Sequence, residues 1–380
     1  MKLNDRLKEY KIALCYYLFR VFPIKRNKIV LCNYVGNGFG CNPKYIAIEL
    51  HKRQPDCDMV WITKNMKDEF PNYIRKVEWD SIQSIFELAT SGIWIDNQRK
   101  LWYHKKRKKQ FFVETWHGGA GPIKKIGADN PANSNNKPYE CTSRHMDKIV
   151  DIMVSNGVMR SEIYRRAFMY TGRILECGAP RNDILVNGWK QYVPLIHDYY
   201  NIPNDAKIVL YAPTYRKGRK TDKMQIDGME IIRALENKFG ATFYMLKRLH
   251  PTMANKANEL KYDRCIINAS EYDDMQELLA AADVLISDYS SVISEFSIMN
   301  KPIFLLAEDV SDYGDERDFY IDYFNLPYTV ATSEKALISN IELFDEIKYI
   351  KKLDEYKETI GSMETGIAAK TVVDEILKHI

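Results

Sequence analysis

Short apolar strands alternate with helix-like segments along most of this 380-residue sequence, and no other feature restricts the fold as strongly. A first series begins at residue 28 with KIVLCNY, DMVWIT and IWIDN, separated by the helical patterns KYIAIELHKR and SIFELATSG. A second series follows the turn-rich break at 201–206, with strands at KIVLYAPTYR, ATFYMLKRLHP, RCIINAS, DVLISD and KPIFLL. This alternation predicts parallel sheets with crossover helices.

The two series in tandem predict two Rossmann-like domains that face each other across a cleft. A chain of this length exceeds one ordinary hydrophobic core, which supports two domains. We expect an amphipathic N-terminal segment, two Rossmann-like domains and a group of C-terminal helices, in that chain order. The predicted boundaries of these four segments are 1–27, 28–200, 201–345 and 346–380.

Charge and cysteine usage exclude several classes of protein. The net charge is only +4, although seven Lys and Arg residues fall within 99–109, a stretch that holds Trp102 and Tyr103 and no acid. This basic stretch fits either an anionic lipid or polyphosphate surface or a solvated loop, and RNA binding is disfavoured because no recognition module accompanies it. The seven cysteines are scattered without a C-x-x-C pair, which argues against disulfides and zinc and for a reducing cytoplasm.

The N-terminal segment contains an apolar run, Ile12 to Phe19, that Arg20 interrupts. The run is too short to span a bilayer, and no secretory signal peptide is evident. As a helix with flanking basic residues, the segment fits a membrane surface. A helix packed on the first domain explains it equally well.

Polar side chains follow the ends of five predicted strands. In doubly wound sheets, ligands bind at the carboxyl ends of the strands, so these residues predict a shared cleft. They are His117, Arg181 with Asp183, Thr214 with Arg216, Arg248 with His250, and Asp288 with Ser290.

The stretch DVLISDYSSVISEF places Asp288, Ser290 and Ser291 where a buried strand gives way to a helix. A serine at a helix start is first of all an N-cap. The same position also presents unpaired backbone N–H groups, which favour an anion such as a pyrophosphate. Both interpretations remain open from the sequence.

Three further stretches carry basic residues at strand ends. In MLKRLHP, strand alternation sends Arg248 and His250 to the same side, where they suit a phosphate or its leaving group; the alternative is an ordinary charged surface. GAPRND and APTYR are turn-like, and each alone is a weak signal. The D-x-D spacing of Asp56 and Asp58 precedes a strand, so we reject it as a metal site and expect no metal.

His117 stands between an apolar strand and a glycine-rich turn in QFFVETWHGGAGPIKKIG. A lone histidine after a strand is more often structural than catalytic. Here Gly118 and Gly119 allow close approach of a substrate to the backbone, and Lys124 and Lys125 suit an anionic acceptor. An imidazole at this place fits a general base that takes a proton from a hydroxyl group.

The motifs TWHG…KKIG, GAPRND, LYAPTYR, RLHP and DVLISDYSSVISEF, in this order and spacing, resemble the CDP-glycerol glycerophosphotransferase family. The members of this family are the teichoic-acid and capsule polyol-phosphate transferases of Gram-positive bacteria. The resemblance runs from about residue 28 to the C-terminus and includes NPKYIAIEL. No single motif is specific, but the combination is.

The resemblance implies a GT-B-like fold with an N-terminal acceptor domain and a C-terminal CDP-donor domain. It implies transfer of glycerol phosphate or ribitol phosphate from a CDP-activated donor to a lipid-linked polymer, with release of CMP. No cofactor and no nucleic-acid partner are implied, and the expected location is peripheral, on the cytoplasmic face of the membrane. The nearest alternative is a GT-B glycosyltransferase that uses a nucleotide sugar.

The resemblance assigns roles to His117, His250, Asp288, Ser290 and Ser291, and the strand-end pattern supplies the other expected site residues. His117 is the expected general base and His250 lies at the donor phosphates, so both are expected to be catalytic. The expected acceptor residues are Gly118, Gly119, Lys124 and Lys125. The expected donor-binding residues are Arg181, Asp183, Thr214, Arg216, Arg248, Asp288, Ser290 and Ser291.

The sequence departs from the family pattern at two places. The family commonly reads W-H-G-T-P-L-K-K, whereas this chain has the longer WHGGAGPIKK. Near the C-terminus, Thr365 in ETGIAA stands where aspartate is expected. The first departure affects acceptor choice, and the second affects a donor contact.

Overall fold

The computed structural model describes residues 3–119, 121, 123–133, 135–214, 226–249 and 262–380. This part of the chain folds around two separate sheets, and every strand pair within them is parallel. The predicted α/β architecture of two Rossmann-like halves with C-terminal helices is therefore confirmed.

The first sheet has seven strands in the order β3-β2-β1-β4-β5-β6-β7. The chain reverses direction across the sheet between β1 and β4, which is the switch point of a doubly wound fold. The strands are β1 Lys25–Cys32, β2 Asp58–Thr63, β3 Ile74–Glu78, β4 Ser91–Asp96, β5 Phe111–Glu114, β6 Ile152–Ser155 and β7 Arg173–Glu176.

The second sheet has six strands in the order β10-β9-β8-β11-β12-β13, so it repeats the same winding. Its central strands are buried on both faces, as parallel sheets covered by helices require. The strands are β8 Lys207–Tyr211, β9 Phe243–Lys247, β10 Ile266–Asn268, β11 Val284–Ser287, β12 Ile303–Leu306 and β13 Thr329–Ala331.

Helices cover both sheets. Several begin at a side-chain cap, for example Ser81, whose hydroxyl accepts a hydrogen bond from the Ser84 N–H at 3.0 Å. The helices are α1 Leu3–Leu18, α2 Cys41–Arg53, α3 Ile82–Thr90, α4 Lys137–Ile149, α5 Val158–Ala167, α6 Asp183–Val186, α7 Tyr192–Tyr200, α8 Gly228–Phe239, α9 Met275–Ala281, α10 Val292–Phe296, α11 Val310–Arg317, α12 Glu334–Glu342, α13 Glu346–Thr359 and α14 Ala368–Ile376.

The chain crosses between the two halves at two points. Leu185 of α6 and Ile196 of α7 join the core of the second sheet, although they precede its first strand. Near the C-terminus, α14 returns to the first sheet, where Val372 and Ile376 pack with the side chains of β1 and β4. Segments therefore do not always pack with the sheet that is nearest to them in chain order. The division of the chain into four segments stays a prediction.

The N-terminal helix α1 has one buried side and one exposed side. Ala13 and Tyr16 are buried against the first half, and α1 packs on α3. In the described part of the chain, no helix combines the length and the apolar character that a membrane span requires. The helix therefore packs on the first half, as the second interpretation of the sequence expected, and it also exposes apolar side chains to solvent.

Candidate active site

The five polar strand ends lie at the carboxyl edges of the two sheets, as predicted. His117 follows β5 and Arg181 follows β7 in the first half, while Thr214, Arg248 and Asp288 follow β8, β9 and β11 in the second. Arg216 and His250 lie outside the described residues, so their predicted roles stay predictions.

The imidazole of His117 is oriented by a backbone carbonyl. Its Nδ1 lies 2.8 Å from the carbonyl oxygen of Asn97, the residue after β4. Because a carbonyl oxygen only accepts, Nδ1 carries the proton and Nε2 is left with its lone pair. Asn97 is itself fixed, since its amide donates to Asn33 at 2.8 Å and its side-chain oxygen accepts from the Tyr34 N–H at 2.9 Å.

Burial keeps His117 neutral. It lowers the pKa of the imidazole to about 4, and the positive charges of Arg181, Arg160 and Lys124 act in the same direction, against the hydrogen bond to Asn97. At neutral pH the ring is therefore unprotonated and its Nε2 can accept a proton. This is the protonation state that a general base needs before it acts.

The backbone around His117 is strained. Trp116 has a φ of 49°, in the left-handed region, and its indole stacks on the imidazole with ring centroids 4.2 Å apart. Tyr34, whose ring lies 5.0 Å from that of His117, has a φ of 39°, and the β-branched Val35 has a φ of 62°. Such conformations cost free energy at the strained residues, which the rest of the fold offsets, and they cluster at functional sites.

Arg181 joins the two halves beside His117. Its Nη2 donates to the carboxylate of Glu295 on α10 at 2.6 Å and to the carbonyl oxygen of His117 at 2.9 Å. Its Nη1 donates to the Cys41 sulfur at 2.8 Å, and its Nε is buried without a partner in the described part of the chain. The predicted donor residue therefore also holds the His117 loop in place.

The glycine turn after His117 packs directly against the predicted donor helix. A Cβ at Gly119 would lie 2.9 Å from the carbonyl oxygen of Ser291 and would overlap the hydroxyl of Ser294. The close approach requires glycine at this position. It brings the expected base and acceptor turn to the start of α10, although the two are more than 170 residues apart in sequence.

Asp288 ties two strand ends of the second half together. Its carboxylate accepts from the Thr214 N–H at 2.8 Å and from the Tyr289 N–H at 2.6 Å, and its carbonyl accepts from the Tyr323 hydroxyl at 2.7 Å. The Thr214 hydroxyl is buried and has no partner in the described part of the chain. An acceptor supplied by a ligand would satisfy it.

The helix start after β11 is short. α10 spans five residues and continues as a 3-10 turn over Ser297–Met299. Ser291 occupies the cap position without a side-chain cap hydrogen bond, and the Ser290 hydroxyl lies 3.5 Å from the Val292 N–H. The serines therefore satisfy little of the helix start themselves, and their predicted donor contact stays a prediction.

Arg248 lies at the end of β9 and is held by backbone contacts. Its N–H donates to the carbonyl oxygen of Tyr211 at 2.9 Å, and its guanidinium donates to the carbonyl oxygen of Tyr272. Tyr272 precedes α9, where Asp274 and Glu277 pair with Lys44 of the first half. Arg248 therefore lies beside a second set of contacts between the halves.

Three of the predicted residues have contacts elsewhere in the fold. The Asp183 carboxylate accepts from the Ala368 and Ala369 N–H groups at 2.9 and 2.7 Å, so it caps the start of α14. Lys125 donates its N–H to the Asp318 carbonyl at 2.9 Å and pairs with the Asp318 carboxylate, while Lys124 forms a bridge with Phe319. Their roles in donor and acceptor binding stay predictions.

Sequence reasoning missed three residues at this site. Asn97 follows a predicted strand and was accessible to the same rule that selected His117. Glu295 is a buried acid within a helical pattern, and Arg160 is a buried base on α5. Neither helical residue carries a local signal, because burial and partners depend on the fold.

Among the described residues, no group of three or more His, Cys, Asp or Glu side chains has the geometry to hold a metal ion.

Thr365, the other departure from the family pattern, is exposed, and its hydroxyl lies 3.4 Å from the Cys177 carbonyl oxygen. The preceding Glu364 is engaged by three donors, from Asn156, Asn182 and the Ala179 N–H. Burial raises the pKa of Glu364 to about 7.

The comparisons with known proteins agree with this geometry. Residues 14–378 match the family described as CDP-glycerol:poly(glycerophosphate) glycerophosphotransferase. The teichoic acid poly(glycerol phosphate) polymerase of Staphylococcus epidermidis is 31% identical over 376 residues, which cover 94% of this chain and 51% of that protein. The polymerase of the same description from Bacillus spizizenii is 29% identical, with 96% of this chain and 95% of that protein covered.

Among solved structures, the wall teichoic acid polymerase TagF superposes with a TM-score of 0.84 at 28% identity, over 100% of this chain and 98% of that chain. The two-sheet GT-B-like fold and the match along nearly the whole chain point to one family of transferases. The chain belongs to the CDP-glycerol:poly(glycerophosphate) glycerophosphotransferase family. It spans about half the length of the Staphylococcus epidermidis relative.

Proposed function

We propose that this protein transfers a polyol phosphate, glycerol phosphate or ribitol phosphate, from a CDP-activated donor to a hydroxyl of a teichoic-acid or capsular polymer. Family membership supports this reaction class, and crystals of the neighbour TagF were soaked with CDPG. The observation that carries the proposal is the approach of the His117 turn to the start of α10. It brings an unprotonated base close to the expected donor phosphates.

The reaction we propose is a direct displacement at phosphorus. Nε2 of His117 accepts the proton of the acceptor hydroxyl as its oxygen attacks the β-phosphate, which bears the polyol. A new P–O bond forms, the bond from the β-phosphorus to the bridging oxygen breaks, and CMP leaves with that oxygen. Donors at the carboxyl edge of the second sheet, with Arg248 and the Thr214 hydroxyl among them, stabilise the charge that develops on the phosphates.

A donor panel tests the reaction class. The purified full chain is incubated with a lipid-linked acceptor and, in turn, CDP-glycerol, CDP-ribitol and a UDP-sugar, and the released nucleotide is identified by chromatography. We expect CMP from at least one CDP-polyol, together with an acceptor product one polyol phosphate heavier. Release of UDP from the sugar nucleotide, with none of CMP, would instead establish a glycosyltransferase.

We also propose that α1 attaches the protein to the surface of the cytoplasmic membrane. The exposed apolar side chains of this helix recur at helical spacing, which suits an interfacial position. They are Leu7, Tyr10, Leu14, Tyr17 and Leu18.

The predicted basic stretch supports this surface. Trp102 packs on Tyr10 with ring centroids 5.2 Å apart and donates to Glu9 at 3.0 Å, so the stretch lies against α1. Arg99, Lys100, Lys106 and Arg107 are engaged within the protein. Lys108 and Lys109 are exposed and suit anionic headgroups.

Vesicle binding tests the membrane proposal. Wild type is expected to sediment with vesicles that contain anionic phosphatidylglycerol, and Leu14→Asp with Leu18→Asp is expected to remain in the supernatant. Ile347→Asp is the matched control, because Ile347 is an exposed aliphatic side chain on α13. Equal sedimentation of all three proteins would contradict the proposed surface.

A further inference from the structure

Arg160 is a buried cation that no acid of the described residues neutralises. Its side chain belongs to α5 and is 3% exposed. Nε donates to the carbonyl oxygen of Gly119 at 3.0 Å, and Nη2 donates to the same oxygen. Within the described part of the chain Arg160 forms no ion pair, in contrast to Arg181, which meets Glu295. Burial of a charge without a counter-ion costs free energy, and a bound anion would offset that cost.

Among the described residues, the groups that act on the charge of Arg160 are tyrosines and Arg181 rather than carboxylates. Its guanidinium carbon lies 5.9 Å from the ring centroid of Tyr164, and Tyr320 and Tyr356 also lie close enough to act on it. Burial lowers the pKa of Arg160, and the charge of Arg181 acts in the same direction. Two guanidinium groups therefore act on His117, and of the two, Arg181 pairs with a described carboxylate, that of Glu295.

Arg160 and the donor helix approach the glycine turn from different sides. A Cβ at Gly118 would lie 3.1 Å from Nη2 of Arg160 and 3.3 Å from Nη1. A Cβ at Gly119 would instead meet Ser291 and Ser294 of the second half. If the donor phosphates lie at α10 beside Gly119, an anion at Arg160 lies beside Gly118, in the turn expected to receive the acceptor.

We propose that Arg160 binds the phosphodiester nearest the attacking hydroxyl of the acceptor. The site thereby selects a hydroxyl-ended polyol phosphate chain over a neutral sugar hydroxyl. This inference rests on the proposed function for the identity of the attacking group. A guanidinium with one edge on a backbone carbonyl can still present its remaining N–H groups to a phosphate, in a charge-assisted hydrogen bond.

The contact has a defined kinetic signature. The acceptor phosphodiester carries the same charge in the ground state and in the transition state, so Arg160 binds both equally. Loss of uniform binding raises the acceptor KM and leaves kcat nearly unchanged. A purely structural role of Arg160 in holding Gly119 would lower kcat instead, because it would displace His117.

Direct binding tests the proposal without relying on turnover. The probe is glycerophosphoglycerol, a phosphodiester with hydroxyl ends, titrated into the full chain by calorimetry, with glycerol as the neutral comparison. We expect wild type to bind the probe and not glycerol, and Arg160→Met to bind it about ten-fold or more weakly, as for loss of a charged hydrogen bond. Arg165→Met is the matched control, since Arg165 lies on the same helix and also donates to backbone carbonyls, of Tyr170 and Gly172.

The outcomes separate this inference from the proposed function. Unchanged probe affinity in Arg160→Met, or no binding by wild type at millimolar concentration, overturns the role of Arg160. Should Arg160→Met fail to fold by circular dichroism, Arg160→Lys decides, because it keeps the charge but loses the planar fork, and its probe affinity must fall. Absence of CMP release by wild type with every acceptor contradicts the proposed function. The binding experiment does not depend on turnover, so it still tests the role of Arg160 in that case.

Discussion

Arg181 and Glu295 form a buried ion pair at 2.6 Å that connects the turn after β7 to α10 in the second half, and both side chains are 3% exposed. Gln276 also donates to the Glu295 carboxylate. Because Arg181 holds the His117 carbonyl as well, this pair links the stability of the fold to the position of the expected base.

Removal of one partner should therefore be costly. Glu295→Ala is expected to lower the free energy of unfolding by about 3–5 kcal/mol, because it leaves Arg181 buried without a counter-ion. Urea unfolding measures the change. Lys370→Gln is the control, since Lys370 is 60% exposed and its pairing with Asp374 should contribute at most about 1 kcal/mol. Equal changes in the free energy of unfolding for the two variants would show that the buried pair contributes no more to stability than an exposed one.

The glycine at position 119 should be essential for geometry rather than for chemistry. Gly119→Ala is expected to lower kcat by about 100-fold, because its Cβ overlaps α10 and displaces the turn from its productive position. Ser294→Ala, which removes the hydroxyl on the other side of the contact, should remain active. The assay is CMP release with the preferred CDP-polyol. A Gly119→Ala enzyme with wild-type kcat would contradict the close packing of turn and helix.

Glu364 should make stability depend on pH. Its folded pKa of about 7 lies above the usual value of a glutamate, so the folded state holds a proton that the unfolded state releases between about pH 4.5 and 7. The contribution of Glu364 to stability is therefore present below that window and lost as the pH rises through it. Urea unfolding at pH 5 and pH 8 should show wild type losing more stability than Glu364→Gln. A parallel loss in both proteins would contradict this assignment.

The rate should be insensitive to pH where an ordinary histidine titrates. Since the pKa of His117 is about 4, the imidazole is expected to remain neutral down to about pH 5. A profile of kcat/KM, which reports the free enzyme, should show no His117-dependent limb near pH 6.5. The same profile for Glu364→Gln identifies any limb that belongs to Glu364. A limb near 6.5 in both proteins would show that the imidazole is more exposed than the structure has it.

Much of the fold could be predicted from the sequence, because the central strands are buried on both faces and read as continuous apolar runs. The helix predicted near 228–239 matches α8, and DVLISD and KPIFLL contain β11 and β12. The edge strands β3 and β13 were not predicted, since IRKVE is largely polar and TVA is only three residues long. Edge strands lack the flanking neighbours that make a run wholly apolar.

The candidate site could be predicted in part. The strand-end rule selected His117, Arg181 and Asp288, and the structure places the first two in contact. It could not distinguish Asp183, which also follows β7 closely but caps α14, whose first residue lies 185 positions later. Long-range partners of this kind appear only when the chain is folded, as do the burial of Arg160 and the carbonyl of Asn97 that sets the tautomer of His117.

The central claim is that His117 takes the proton from the acceptor hydroxyl, and single-turnover CMP release by His117→Ala tests it most directly. Full chain in excess over CDP-polyol, with saturating acceptor, reports the chemical step. We predict a rate reduced by at least about 100-fold, as for loss of a general base, with donor affinity by calorimetry nearly unchanged. A His117→Ala protein that folds, binds the donor and releases CMP at the wild-type rate would contradict the account.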